Sequence, residues 1–289
     1  MSRVSAVTIT AGAVISAGAL VAPAHAATIA VPTITAKGGF VMNNGTGATL
    51  YSKAADTRRS TGSTTKIMTA RVVLAQPHLN LDAKVTIQKA YSDYVVSKGA
   101  SSAHLIVGDK LTVRQLLYGL MLPSGCDAAY ALADKFGTGT SRAARVNSFI
   151  GKMNSTAKSL GLKNTHFDSF DGIGSGGNYS TPRDLTKLAS NAMKYANFRT
   201  VVKTKSTKQK VTTKSGGYRY MTWTNTNTLL GSYAGTIGVK TGSGAVAKYC
   251  LVFAATRNGK TVIGTVLASS SVANRTADAT KLMNYAFKK

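Results

Sequence analysis

The stretch Ser63-Thr64-Thr65-Lys66-Ile67-Met68-Thr69-Ala70-Arg71-Val72-Val73-Leu74 governs how the rest of the chain is read. Ile67, Met68, Ala70, Val72, Val73 and Leu74 recur at helical spacing until Pro77 breaks the pattern, so a helix starts at or just before Ser63. Residues three apart on a helix share a face, which sets the Lys66 amine beside the Ser63 hydroxyl. The helix start adds free backbone N–H groups and a positive dipole end, both suited to a serine alkoxide and the oxyanion that follows. A neutral lysine can then take the hydroxyl proton. That requires a lowered pKa, which burial and a second nearby cation would supply. A second S-x-x-K, Ser155-Thr156-Ala157-Lys158, falls inside a helical pattern where no N–H groups are free, and it reads as a solvated face.

Upstream, Gly38 to Tyr51 alternates around the turn Asn43-Asn44-Gly45 and reads as two strands. Downstream, helical patterns run from Val113 to Met121, Asp127 to Phe136 and Arg142 to Leu160, and Thr181-Pro182-Arg183-Asp184 opens another with Pro at its first position. From Val201 to Trp223 the chain alternates Thr and Lys with Val and Tyr, as exposed strands do. Strand runs follow at Thr236 to Thr241, Tyr249 to Thr256 and Thr261 to Ala268, and an amphipathic helix from Thr276 to Phe287 closes the chain. Strands at both ends and helices in the middle predict a mixed α/β (α+β) chain. Its antiparallel sheet is assembled from both termini, has flanking helices, and carries an inserted all-helical lobe over about 74–190.

Arg3, an uncharged run to Val21 and Ala24-His25-Ala26 read as a secretory signal over 1–26, leaving residues 27–289 as the enzyme domain and a secreted protein. No later stretch reaches the roughly 18 apolar residues of a membrane span, and no Cys lies near the cut for lipidation. Lys and Arg number 36 against 10 acidic residues, all Asp, for a net charge of +26. Outside a cell such a surplus favours anionic wall polymers or membrane surfaces over nucleic acid, and a solvated basic surface without a partner is the alternative. The chain is read as a monomer. Cys126 and Cys250 are read as two separate thiols, since a large core does not need one bridge.

The absence of Glu excludes an HExxH zinc site and a paired-Glu glycosidase, and the cysteines lack metal-knuckle spacing, so no metal or cofactor is expected. There is no G-x-S-x-G elbow. The second cation that Lys66 needs is Lys240, in Lys240-Thr241-Gly242 at the end of an apolar strand. A strand edge of this kind can bind an extended peptide and anchor its terminal carboxylate. The similar triplet Lys214-Ser215-Gly216 sits among exposed Lys and Thr residues and is set aside.

With Ser124-Gly125-Cys126 between them, these motifs resemble, in order and spacing, the D-alanyl-D-alanine carboxypeptidase family of penicillin-binding proteins. The resemblance runs from about Gly38 to the C-terminus and includes Leu160 to Phe167 and Tyr179-Ser180-Thr181. It implies a β-lactamase and penicillin-binding-protein-like fold, with peptidoglycan D-Ala-D-Ala stem peptides and β-lactams as partners. It also implies Ser63 as acyl-ester nucleophile, Lys66 as base and Ser124 as proton relay between Lys240 and the leaving group. The oxyanion donors would be the backbone N–H groups of Ser63 and Ser243, and Arg275 would help Lys240, Thr241 and Gly242 hold the substrate.

Cys126 departs from the family's Ser-x-Asn, because a thiol cannot offer an amide's donors and acceptor. The departure is similar to a secreted actinomycete DD-transpeptidase and implies amine acceptors in place of water, with Cys126 a free thiol lining the cleft. Two rival readings are a class A β-lactamase, whose deacylation needs a Glu that this chain lacks, and a catalytically dead basic wall-binding protein.

Overall fold

The computed structural model describes residues 1–12 and 29–289; the proposed cleavage site at Ala24-His25-Ala26 lies outside the described residues. Residues 1–12 form no helix or strand. A helix that is apolar nearly all round belongs in a core, and α1 (Lys66–Leu74) is such a helix. Every residue of it except Arg71 is buried, and it packs on α3 (Val113–Met121), α4 (Cys126–Phe136), α5 (Arg142–Ser159) and α6 (Pro182–Ala192). A short 3-10 turn, Gly62–Thr65, leads into it.

The main sheet draws on both ends of the chain. Its order is β2 (Thr49–Lys53), β1 (Gly38–Asn43), β9 (Lys260–Ser269), β8 (Lys248–Arg257) and β7 (Thr236–Gly244), every pair antiparallel. Successive strand residues point to opposite faces. Gly38 faces Pro182 at the start of α6, while Gly39 faces Leu282 of α9 (Val272–Lys288), so these two helices cover opposite faces. That double cover is why Cys250 to Ala255 is buried without alternation.

The segment read as a helical lobe also holds two strands of three residues, β3 (Lys84–Thr86) and β4 (Lys110–Thr112). Their order with β5 (Ser206–Thr212) and β6 (Tyr218–Thr224) is β3-β4-β5-β6, a second antiparallel sheet. Here alternation is clean: Val85, Leu111, Val211, Met221 and Trp223 face inward and their neighbours face outward.

Helix ends follow the local signals. Thr181 caps α6 with Pro182 at the first position, and Thr112 and Gln115 form a reciprocal capping box on α3. The closing helix begins at Val272, four residues before the amphipathic pattern suggests, because the Ser271 side chain accepts from Asn274 N. Val201 to Lys203 belong to α7 (Ala196–Lys203), so the exposed strand starts later, at Ser206. α2 (Lys89–Lys98) has only Tyr91 buried and left no apolar periodicity to read. Among the described residues no helix is long and apolar enough to cross a membrane.

Candidate active site

Ser63 sits in the 3-10 turn, and Lys66, fully buried at the start of α1, donates from Nζ to Ser63 Oγ at 2.8 Å. The same amine contacts Asp171 O at 3.2 Å and Cys126 Sγ at 3.3 Å. Among the described residues no carboxylate forms an ion pair with it.

Ser124 has φ of 67°, a left-handed conformation uncommon for a residue with a side chain. Ser101 Oγ donates to its carbonyl at 2.6 Å and helps hold this turn, while Ser124 Oγ is buried with no partner among the described residues. A buried hydroxyl without a partner costs free energy, which a ligand that bonds to it would recover. Cys126, two residues on, opens α4 and is wholly buried beside Ser101 and Lys66, so it lies behind the cleft and does not line it. Burial pushes its thiol pKa up, against the opposing pull of Lys66. Cys250 is also a free, buried thiol, pushed up by burial to about 11.

On the other side β7 brings Lys240, Thr241, Gly242 and Ser243. Two glycines let the strand approach the 3-10 turn. A Cβ on Gly242 would lie 2.7 Å from Thr61 O and 3.1 Å from Thr64 N, and one on Gly62 would lie 2.8 Å from Ser243 O. Gly62 also has φ of 49°, which favours glycine. Backbone therefore meets backbone where the Ser63 and Ser243 N–H groups are found. Lys240 is 1% exposed, with Nζ 3.1 Å from Thr241 O, and Thr241 Oγ1 lies 2.6 Å from Thr226 Oγ1. Burial, then the nearby charges of Lys66 and Arg275, hold the Lys240 ammonium well below the ordinary lysine pKa. Arg275, in the first turn of α9, is buried with Nε unpartnered, and burial lowers its pKa too.

Ser63 and Ser243 border a cleft of about 510 Å³ together with Ser101, Gly172, Asn178 and Val246. Lys66 contacts both Ser63 and Cys126, and Lys240 is coupled by charge to Lys66, Cys126 and Arg275. Ser155 and Lys158 are exposed on α5, and Lys214-Ser215-Gly216 is exposed in the β5–β6 turn. Sequence reasoning missed Ser101, Tyr94 and Asp171. Asp171 supplies the carbonyl that holds Lys66, and its two carboxylate oxygens accept from Ile173 N at 2.9 Å and Tyr94 OH at 2.8 Å. Burial and the Asp171 charge push the Tyr94 phenol pKa up, so it stays a donor. These residues sit in loops or on a mostly exposed helix, where periodicity carries no signal. Asp171-Gly172, a turn pair, was the one available cue.

The profile of the D-alanyl-D-alanine carboxypeptidase family matches residues 25–271. A D-alanyl-D-alanine carboxypeptidase of Streptomyces sp. strain K15 is 73% identical over 289 residues, covering 99% of each chain. One from Bacillus subtilis is 33% identical over 87% of this chain and 62% of its own length. The crystal structure of the Streptomyces K15 DD-transpeptidase superposes with a TM-score of 0.90 at 76% identity, covering 90% of this chain and all of that one. The D-alanyl-D-alanine carboxypeptidase of Francisella tularensis, 28% identical over 90% of this chain and 72% of its own, superposes at 0.79. The serine, the buried amine on its hydroxyl and the strand that closes over them thus stand in a chain that belongs to the D-alanyl-D-alanine carboxypeptidase family.

Proposed function

We propose that Ser63 is the nucleophile with which this serine D-alanyl-D-alanine peptidase forms its acyl-enzyme on peptidoglycan stem peptides. The contact that carries the reading is Lys66 Nζ to Ser63 Oγ at 2.8 Å, made by a buried amine without an acidic partner. A neutral amine has two N–H donors and one lone pair. Asp171 O can only accept, and the Cys126 sulfur accepts weakly, so in the neutral form these two keep the donors and the bond to Ser63 reverses, the lone pair accepting the hydroxyl proton. As Ser63 Oγ attacks the carbonyl of the D-Ala-D-Ala bond, the backbone N–H groups of Ser63 and Ser243 receive the oxyanion. Lys240, Thr241 and Arg275 hold the terminal carboxylate, with Gly242 leaving room for the peptide. The unpartnered Ser124 Oγ relays the proton to the departing D-Ala amine.

The acyl group then passes to an amine or to water. Cys126 lacks the amide that would contact the substrate's penultimate carbonyl, which supports transfer to an amine as the favoured outcome. The chain has no Glu to position a deacylating water, so a penicilloyl adduct should persist. The leader over 1–26 directs the enzyme out of the cell, and its net charge holds the monomer on anionic wall polymers or membrane surfaces. Intact-mass measurement after incubation with benzylpenicillin tests the nucleophile. Wild type should gain one stable adduct and Ser63→Ala none; an adduct on the Ala variant would remove Ser63 from this role.

A further inference from the structure

Among the described residues no other element covers the outer face of the β3-β4-β5-β6 sheet, and its composition is unusual. The outward positions of its four strands are Lys, Thr, Ser and Tyr only, and the strands contain no acidic residue. Lys110 pairs with Thr212, and Thr212 with Tyr218, so these three share this face with Lys84, Lys208, Lys210 and Tyr220.

The lysines are held in place. Lys84 reaches across β4 to donate to Thr212 Oγ1 at 3.3 Å. Lys210 Nζ lies 4.0 Å from the centre of the Tyr218 ring, and Lys208 Nζ lies 4.6 Å from that of Tyr220. The two rings meet edge to face at 5.8 Å and, beneath their lysines, remain 61% and 54% exposed, leaving much of their aromatic surface open. An ammonium set over a ring keeps outward N–H donors and has lost part of its rotamer freedom before any ligand arrives.

At the β3 edge the face continues into a depression of about 270 Å³ lined by Lys84, Lys135, Arg142 and Arg145. The acid there, Asp134, accepts from Arg142 at 3.1 Å and Arg145 at 2.6 Å, so four cations against one carboxylate leave a net charge of +3. The nearest other acids are also taken up, Asp109 by Arg219 and Asp82 by Arg114.

We propose that this face and the depression at its edge form a docking surface for a linear polyol-phosphate polymer. Lys208 and Lys210 stand on alternate residues of β5, a backbone repeat of about 7 Å, and their ammonium groups meet successive phosphodiesters. The Thr and Ser hydroxyls bond to the polyol, and the tyrosine rings cover its C–H edges. A membrane-surface site would instead present aliphatic side chains for insertion beside its lysines, and this face presents none. The inference rests on the reading that the enzyme works at an anionic wall; it makes no use of the catalytic residues.

The test measures binding to purified poly(glycerol phosphate), and to vesicles containing phosphatidylglycerol at equal phosphate, over a range of salt. Each variant is first checked for benzylpenicillin acylation at the wild-type rate, as a test of folding. Wild type should bind the polymer more tightly than the vesicles, and less tightly as salt rises. The pair Lys208→Gln and Lys210→Gln should weaken binding by about tenfold or more, since phosphate neutralisation scales with the number of cations engaged. Lys281→Gln with Lys288→Gln, the same charge removed from exposed positions on α9, should change it by less than about twofold. Tyr218→Ala with Tyr220→Ala should weaken binding while leaving the salt dependence near that of wild type. No polymer binding by wild type would refute the wall reading itself. Equal losses from the two lysine pairs, or tighter binding to vesicles, would leave that reading standing and overturn the assignment of this face.

Discussion

Lys66 and Lys240 are both buried, but their surroundings differ in kind. Lys66 ends on three heteroatoms, one of them the Ser63 hydroxyl oxygen, whereas Lys240 donates only to Thr241 among the described residues and has two other cations acting on it. Removing a positioned general base costs a factor of roughly a hundred or more, so Lys66→Ala should slow benzylpenicillin acylation at least that much. Wild-type rates in that variant, measured by stopped-flow fluorescence, would move the base elsewhere. For Lys240 the sign follows from linkage. Its folded pKa is depressed, so between that lowered value and the ordinary lysine value the unfolded chain binds more protons, and stability rises with pH through that window. A substrate carboxylate beside Lys240 reverses the effect and raises the pKa. Binding of a D-Ala-D-Ala peptide to Ser63→Ala should therefore take up a proton in the window between the lowered and the ordinary lysine pKa, and weaken as pH rises through it. Calorimetry in buffers of different ionisation enthalpy reads this directly, and zero uptake or net release would remove Lys240 from the carboxylate site. Ser63, Lys66 and Lys240 were legible because each stands at a fixed offset from a helix start or strand end. Ser101, Tyr94 and Asp171 were not, because their roles come from backbone and side-chain contacts between segments remote in sequence.

At the level of elements, the site depends on β7 lying against the 3-10 turn that precedes α1. The two glycines at that contact make it testable. Gly62→Ala places a methyl 2.8 Å from Ser243 O at a φ of 49°, so strain and displacement both follow. A cost of about 1–3 kcal/mol is expected, lowering the midpoint of thermal unfolding by several degrees in a chain of this size. Acylation should fall by more than that stability change alone would produce, because Ser243 N–H moves with the strand; a variant that melts earlier but acylates normally would detach this contact from the oxyanion site. The long elements could be read in advance, since α1, α5, β8 and β9 each carry enough residues to show a period or an unbroken apolar run. β3 and β4 could not, because three residues define no period, and the second sheet was hidden with them. Val201 to Lys203 looked like strand because β-branched residues suit both states in a short run, and packing against β7 makes it the end of α7.

Over the whole molecule, the order of strands, helices and strands already implied a sheet closed from both termini, and β2-β1-β9-β8-β7 is that sheet. What order alone could not convey is that the inner face of the second sheet completes the helical region, through Trp223 Nε1 bonding to Ala103 O at 2.8 Å, while its outer face stays open. α1 and β7 converge so that a serine bordering the cleft, an amine three residues on and a lysine nearly 180 residues away form one charge-coupled cluster. The central claim is that this convergence makes an acyl-enzyme on Ser63 that hands its acyl group to an acceptor. The most direct measurement incubates wild type and Ser63→Ala with a diacylated D-Ala-D-Ala peptide, with and without glycine, and separates the products. Wild type should release D-Ala and, with glycine present, yield the glycyl-extended peptide as the main product, and Ser63→Ala should give neither; D-Ala release by Ser63→Ala at the wild-type rate would contradict the account.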